Sequence, residues 1–312
     1  MSHWTVNDIP DLRGRVALVT GANRGLGLET TRALATHGAH VIMAVRNLNQ
    51  GRLVEAEIKQ TMPDALIEVA SLDLSSLASV REFAARVLQT HARLDLLFNN
   101  AGVMATPRQE TPDGFEMQFG TNHLGHFALT GLLVPKLVTT PGSRVVTTTS
   151  NARRTVRRID FDDLQLQRSY SRWGAYGHSK RANLLFAFEL QTRFTAAGVS
   201  TISVAAHPGG ANTNVPGTSN NLSRFERFFF GLISQNAAMG ALPQLYAATN
   251  AHITGGELVG PGGISKSRGY PKVDPQASSE YDRPAATRLW KVSEELTGVT
   301  YDALRQHSEA RG

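Results

Sequence analysis

The chain has 312 residues, 41% hydrophobic and 19% charged, a globular composition that argues against wholesale disorder. It contains no cysteine, which excludes disulfides, thiolate zinc sites, iron–sulfur clusters and thiol nucleophiles together. The 32 Lys+Arg against 26 Asp+Glu leave a formal charge of only +6, with the basic residues scattered, so a nucleic-acid partner is disfavoured.

No apolar run approaches the roughly 20 residues a membrane helix needs, and the start MSHWTVNDIPDLRGR does not read as a signal peptide. The expectation is a cytoplasmic protein without a transmembrane segment. Short apolar runs alternate with helical patterns from the outset. Arg15–Thr20 reads as a buried strand, and a Gly-rich turn opens a helix through Ala35. His40–Val45 predicts a second strand, Leu48–Met62 a polar helix, Ile67–Leu74 a third strand and Ser76–Thr90 a helix. Leu94–Asn100 predicts the fourth strand, Thr121–Val138 a long helix and Arg144–Ser150 the fifth strand. Gly174–Ala197 reads as helical, and Ser200–Gly210 as a sixth strand closed by a Pro-Gly breaker. Near-continuous apolar strands separated by helices imply a parallel sheet covered on both faces, and right-handed crossovers make it a doubly wound α/β domain. Pro216–Ser223 and Ser265–Ser279 look loose, but neither looks like a boundary, so one domain spans 1–312. Arg153, Arg154, Arg157 and Arg158 form the one dense basic run; it reads as a solvated face on a loop.

The first strand runs into Thr20-Gly21-Ala22-Asn23-Arg24-Gly25-Leu26-Gly27. Glycines let the backbone turn sharply and approach a pyrophosphate, which then sits on the helix N-terminus. Alone, such a string would be explained as well by a structural turn. Here it follows the first strand and opens a helix, the context the motif requires. Its spacing, G-x-x-x-G-x-G, lacks the Gly-Lys-Ser/Thr ending of a phosphotransfer loop.

With these residues the chain resembles the short-chain dehydrogenase/reductase family, in its single-domain, Rossmann-type branch. Asp73-Leu74, Asn99-Asn100-Ala101-Gly102, Tyr176-x-x-x-Lys180 and Pro208-Gly209 follow in the family's order. The likeness covers a core of about residues 14–260, leaving 261–312 as a C-terminal extension. Thr121-Asn122-His123-Leu124-Gly125-His126-Phe127 and the layout are most similar to the retinol-dehydrogenase-like reductases. The resemblance implies that Asp73, with Leu74 beside it, meets the adenine amino group. It places Asn100, Ala101 and Gly102 along the adenine ribose, and Pro208, Gly209 and Thr213 beside the nicotinamide.

The choice of cofactor is argued from charge. An NAD site carries an acid near the end of the second strand for the ribose 2′-hydroxyl. Here that strand ends Met43-Ala44-Val45-Arg46-Asn47, without a carboxylate. Arg46 and Arg24 supply two guanidinium groups suited to a 2′-phosphate, so NADP(H) is expected over NAD(H).

Tyr176 and Lys180 are four apart on one helix face. A nearby ammonium favours the phenolate and is expected to pull the phenol toward the working range. Lys180 also reaches the nicotinamide ribose in the family's arrangement. Ser150, ending the fifth strand, can hydrogen-bond a reacting carbonyl oxygen. Asn122 matches the family's Asn, which holds a water in a proton relay to the lysine. Taken singly, each has a bland explanation: a solvated helix, a polar strand end, a helix cap. Ser150 and Tyr176 stand 26 residues apart, wider than in most of the family, and Asn151–Arg172 between them leaves the pocket rim open to question. That segment also stands in the way of the helix-face packing by which many relatives form tetramers, so a homo-oligomer stays open.

His123 and His126 lack a third ligand at metal spacing, and no metal is expected. His178 and His207 read as structural or pocket-lining. Phe225, Phe228, Phe229, Phe230, Leu232 and Ile233 form an apolar stripe that suits a lid over a lipophilic carbonyl or alcohol, or equally the protein's own core. The leading expectation is an NADP(H)-dependent oxidoreductase interconverting carbonyl and alcohol, with Tyr176 as acid/base. The alternative is a non-catalytic NADP(H)-sensing protein on the same fold. Reduction of a C=C bond, as in protochlorophyllide-type relatives, is weaker because those depend on a cysteine.

Overall fold

The computed structural model describes residues 3–209, 236–263 and 266–309. Thr213, the loose stretch at 216–223 and the apolar stripe at 225–233 lie outside the described residues.

Six parallel strands form where the apolar runs lie: β1 Val16–Thr20, β2 His40–Val45, β3 Ile67–Ser71, β4 Leu96–Asn99, β5 Arg144–Thr148 and β6 Ile202–Ala206. Two more, β7 Leu258–Pro261 and β8 Pro271–Val273, complete a sheet of order β3-β2-β1-β4-β5-β6-β7-β8, with only β8 antiparallel. The order reverses between β1 and β4, the switch point outside which doubly wound sheets bind ligands.

Local capping sets where the helices begin. Asn47 caps α2 (Leu48–Thr61) and Ser76 caps α3 (Leu77–Thr90). The expected long helix starts earlier than Thr121, at α4 (Met117–Phe119). The cause is Glu116, an unusual cap whose carboxylate accepts from the backbone N–H of Gln118 (3.0 Å) and Phe119 (2.7 Å). A π-helical turn, Gly120–Leu124, then leads into α5 (Gly125–Val138). Ser171 likewise starts α6 (Arg172–Ala197) two residues before Gly174, by accepting from the Gly174 N–H.

On one face of the sheet lie α1 (Gly25–Thr36), α2 and α7 (Ala237–Thr249); on the other lie α3, α5 and α6. The segment from 261 onward is not an appendage. It supplies β8, α8 (Arg283–Thr297) and α9 (Asp302–Glu309), and it buries Trp290 and Tyr301 in the same apolar cluster as Phe127 and Phe186. The stretch expected to be loose at 265–279 holds β8. Among the described residues no helix is long and apolar enough to cross a membrane.

Candidate active site

Four loops at the carboxyl ends of β1–β4 enclose one cleft. Gly21, Asn23, Arg24, Gly25, Leu26 and Gly27 line it from the first turn, Arg46 from the end of β2, Asp73 and Leu74 from beyond β3, and Asn100, Ala101 and Gly102 from beyond β4. Gly21 takes φ +67°, the left-handed region where a side chain is strained, and this turns the chain from strand to helix. At Gly27 a Cβ would lie 2.3 Å from the Gly21 carbonyl oxygen, so only glycine lets α1 pack on the turn. The N-cap of α1, Arg24, makes no side-chain capping bond, unlike Asn47 and Ser76, so the first N–H groups of the helix are left for a ligand in the cleft.

Partial burial, with Arg46 nearby, lowers the pKa of Arg24. Neither arginine has an ion-pair partner among the described residues. An uncapped helix start, a glycine cradle and two unneutralised cations on one cleft fit the phosphates of a dinucleotide. Asp73 shares that cleft, although its Oδ1 already accepts from the Ser75 N–H (2.9 Å) and hydroxyl (2.6 Å). Pro208 lines a second, narrow hollow with His207, Thr148 and Gln244, joined to the first through Leu26. Gly209 follows at φ +70° with its N–H on His207 Nδ1 (3.2 Å).

The residues expected to react converge beyond β5 and on the first turns of α6. Asn122 sits in the π turn. Its side chain accepts from the Val103 N–H (2.8 Å) and donates to the Val103 carbonyl (2.9 Å) and to Ser179 Oγ (2.9 Å). It thereby ties the loop after β4 to α6. Lys180 is buried, and its Nζ donates to the Thr148 carbonyl (3.1 Å) and lies 5.7 Å from the Tyr176 ring centroid. Asn122 Oδ1 and Lys180 Nζ face the same space over Gly102, 3.0 and 3.5 Å from where its Cβ would stand. Ser150 Oγ accepts from the Ala152 N–H (3.2 Å).

The expected effect of the ammonium on the phenol is overturned. Burial pushes Tyr176 up to about 12, with only the hydrogen bond from Ser150 opposing it. Burial also pulls Lys180 down to about 8, which leaves it mostly protonated at neutral pH. Both shifts have one cause, loss of water.

Sequence reasoning missed several members of the site. Gln244 in α7 accepts from Thr148 Oγ1 (3.1 Å) and donates to Asn100 Oδ1 (3.3 Å), bridging both hollows. It is a buried amide in the apolar run ALPQLYAAT, a signal that could have been read. Thr20 Oγ1 accepts from the N–H groups of Asn100 and Ala101 (2.9 Å each). It also meets His126 Nε2 (2.9 Å), whose Nδ1 faces the Asn122 carbonyl (2.9 Å). His123 bonds Ser293 through Nε2 (2.9 Å). The solvated reading of the basic run fails at Arg153. Its side chain is fully buried and makes a two-pronged ion pair with Glu280 (2.8 and 3.1 Å).

Comparison with known proteins settles the family. The model for short chain dehydrogenases matches residues 15–222. Human retinol dehydrogenase 11 is 40% identical over 291 residues, 93% of this chain and 88% of the relative. The chain belongs to the short-chain dehydrogenase/reductase family. Within it the protein is retinol-dehydrogenase-like, and it is an NAD(P)-dependent oxidoreductase. Polyprenol dehydrogenase of Danio rerio is 38% identical over 297 residues, 94% of this chain and 89% of that one. A crystal structure of an uncharacterized protein from Mycobacterium paratuberculosis matches with a TM-score of 0.78 and 40% identity, over 96% of this chain and 99% of that one. A short chain dehydrogenase from Escherichia coli CFT073, solved with NADPH, matches with a TM-score of 0.53 at 27% identity, over 64% and 79%. The family match ends at 222, so Gln244, Glu280 and Ser293 lie beyond it.

Proposed function

We propose that this reductase interconverts a lipophilic carbonyl compound and its alcohol, using NADP(H) in preference to NAD(H). One observation carries the cofactor choice. Arg24 and Arg46 share the cleft without an ion-pair partner among the described residues, and no carboxylate stands at the end of β2, where a 2′-hydroxyl would need one. The guanidinium forks suit a 2′-phosphate, and the open N-terminus of α1 suits the pyrophosphate. On this reading Pro208 and Gly209, together with the Asn100–Gly102 backbone, would complete the cofactor contacts, and the Lys180 ammonium would meet ribose hydroxyls.

When bound, the nicotinamide supplies or takes a hydride at the carbonyl carbon. Ser150 donates its hydroxyl proton as a hydrogen bond to the carbonyl oxygen and stabilises charge developing there. The phenol of Tyr176 is protonated at neutral pH, so it is set to give its proton to that oxygen in the reducing direction. Lys180 Nζ and Asn122 Oδ1, facing one space over Gly102, form the return path for a proton. A substrate of low polarity is supported by the names of the relatives, dehydrogenases of retinol and polyprenol.

The test is calorimetric titration with NADPH and NADH, followed by NADPH oxidation with a homologous series of aldehydes. NADPH is expected to bind more tightly, and kcat/KM to rise a few-fold per added methylene, about 0.8 kcal/mol each. Equal affinities would refute the cofactor assignment, and a flat series the lipophilic one.

A further inference from the structure

We propose that Arg153 is a positioning residue for Ser150, braced from the carboxyl-terminal segment by Glu280. The inference rests on the reading of Ser150 as the group that meets the reacting oxygen. Ser150 has an extended backbone (φ −152°, ψ 157°), and the chain then curls into a 3₁₀ turn, Asn151–Thr155. That turn aims the Ala152 N–H at Ser150 Oγ, which orients the hydroxyl lone pair and frees its proton for a partner. The Ser150 carbonyl accepts twice from one residue, from the Arg153 N–H (3.0 Å) and from Arg153 Nη1 (3.1 Å). Nη1 also reaches Asn151 Oδ1 (3.2 Å), while Nε and Nη2 grip Glu280. One guanidinium therefore holds both the peptide that follows the serine and the side chain of the next residue.

A fully buried charge is tolerated only when it is paired and hydrogen-bonded throughout, and such a group has little freedom to move. Glu280 is held in turn by Arg154 (3.0 Å), which also approaches Asp274 (3.5 Å). Asn151 Nδ2 donates to the Lys266 carbonyl (3.2 Å). The segment from 266 to 280 thus clasps the turn carrying Ser150. Burial raises and Arg153 lowers the carboxyl of Glu280; the net direction is down, so the brace is ionised at neutral pH. Arg153→Met would leave the serine carbonyl one turn bond, while Glu280 keeps Arg154 as counter-charge. The loop loosens without stranding a carboxylate.

The experiment is a double-mutant cycle on kcat for NADPH-dependent aldehyde reduction, with the NADPH Kd measured beside it. Arg153→Met is expected to lower kcat about tenfold or more, since a shift of about 1 Å at a reacting group can cost about 100-fold, while Kd for NADPH stays within about twofold. Ser150→Ala is expected to lower kcat more. The double variant is expected to match Ser150→Ala alone, because Arg153 acts through the serine. Arg153→Lys should recover part of the loss, and Arg154→Ala, which leaves the Arg153–Glu280 pair in place, should cost less than Arg153→Met. Losses that multiply in the double variant would make Arg153 a general stabiliser and overturn the proposal. Should Arg153→Met fail to fold, Glu280→Gln tests the same brace with its shape retained: a lowered kcat absent from the Ser150→Ala background supports it, and an unchanged kcat overturns it. Full activity in Ser150→Ala would overturn the active-site reading itself; loss there beside intact Arg153 and Glu280 variants overturns only the brace.

Discussion

Around the cleft, residues that work together are neighbours in sequence. Gly21 to Gly27 form one turn, and Asn100 to Gly102 another. In the segment from 266 to 309 the partners are far away: Glu280 holds Arg153 at a separation of 127, Ser293 bonds His123 at 170, and Tyr301 bonds the Phe127 carbonyl at 174. The first region is specified by backbone geometry that a few residues dictate. The second is specified by side chains that meet only after the sheet has formed. A sequence motif reports the first kind of information and is blind to the second. Yet both regions reach the candidate site, the second of them through Arg153 and the Ser150 carbonyl.

The corner where they meet should show the largest effect. Tyr176→Phe is expected to lower kcat at least about 100-fold, the lower end of what a general acid contributes, with NADPH affinity nearly unchanged. Stopped-flow turnover and cofactor titration check this. A variant keeping more than a tenth of wild-type kcat would move the acid/base elsewhere.

Acid tests whether the two regions unfold together. Burial holds His123 at about 3, His126 at about 4, His178 at about 4 and His207 at about 3. In the unfolded chain each titrates near about 6.5, so the unfolded state takes up protons first as pH falls. Stability is therefore complete above about pH 7 and is lost as pH drops below about 6.5, at up to about 1.4 kcal/mol per pH unit for each histidine. Urea melts at pH 7.5 and 5.5 should differ by a few kcal/mol. His126 bonds Thr20 in the cleft and His123 bonds Ser293 in the carboxyl-terminal segment, so one cooperative transition is expected. Two transitions would mean the regions are separable.

The doubly wound parallel sheet was legible because continuous apolar runs alternate with helical ones and crossovers have one hand. Asn47, Ser76 and Ser171 are ordinary caps, and their helices fall within two residues of expectation. The helix start at Met117 was not legible, because a buried Glu seldom caps and nothing local marks a π turn. Arg153 was misread for a related reason. Four arginines within six residues look solvated unless their distant carboxylate is known. Gly21 to Gly27, Asp73-Leu74 and Asn100 to Gly102, taken from spaced motifs, line the cleft, whereas Gln244 needed the fold to bring α7 over β5.

The claim that the carboxyl-terminal segment belongs to the core can be broken by one truncation of a side chain. Trp290 packs on Phe127 at 5.1 Å, on Tyr301 at 4.4 Å and under the Arg193 guanidinium at 4.1 Å. Trp290→Ala should cost about 3–5 kcal/mol in denaturant melts. A loss under about 1 kcal/mol would make 283–309 an appendage.

The smallest expected effect sharpens the comparison most, because it should leave fold and chemistry untouched. Arg24 and Arg46 belong wholly to the local region, one in the glycine turn and one at the end of β2, and neither is tied to the carboxyl-terminal segment by any ion pair among the described residues. A charge-assisted hydrogen bond contributes about 1.5–3 kcal/mol, and solvent screening at this partly open cleft reduces that. Replacing both by Ala should therefore weaken NADPH about 10- to 100-fold. NADH lacks the 2′-phosphate, so its affinity should stay within about threefold, and kcat at saturating cofactor should hold, since neither guanidinium is assigned a part in proton or hydride transfer. Removing two like charges that face each other should leave Tm unchanged or slightly raised. The preference should also fade with salt, as interactions between exposed charges do. Equal losses for NADPH and NADH would assign the arginines to the pyrophosphate instead, and the cofactor choice would then have to rest on other residues.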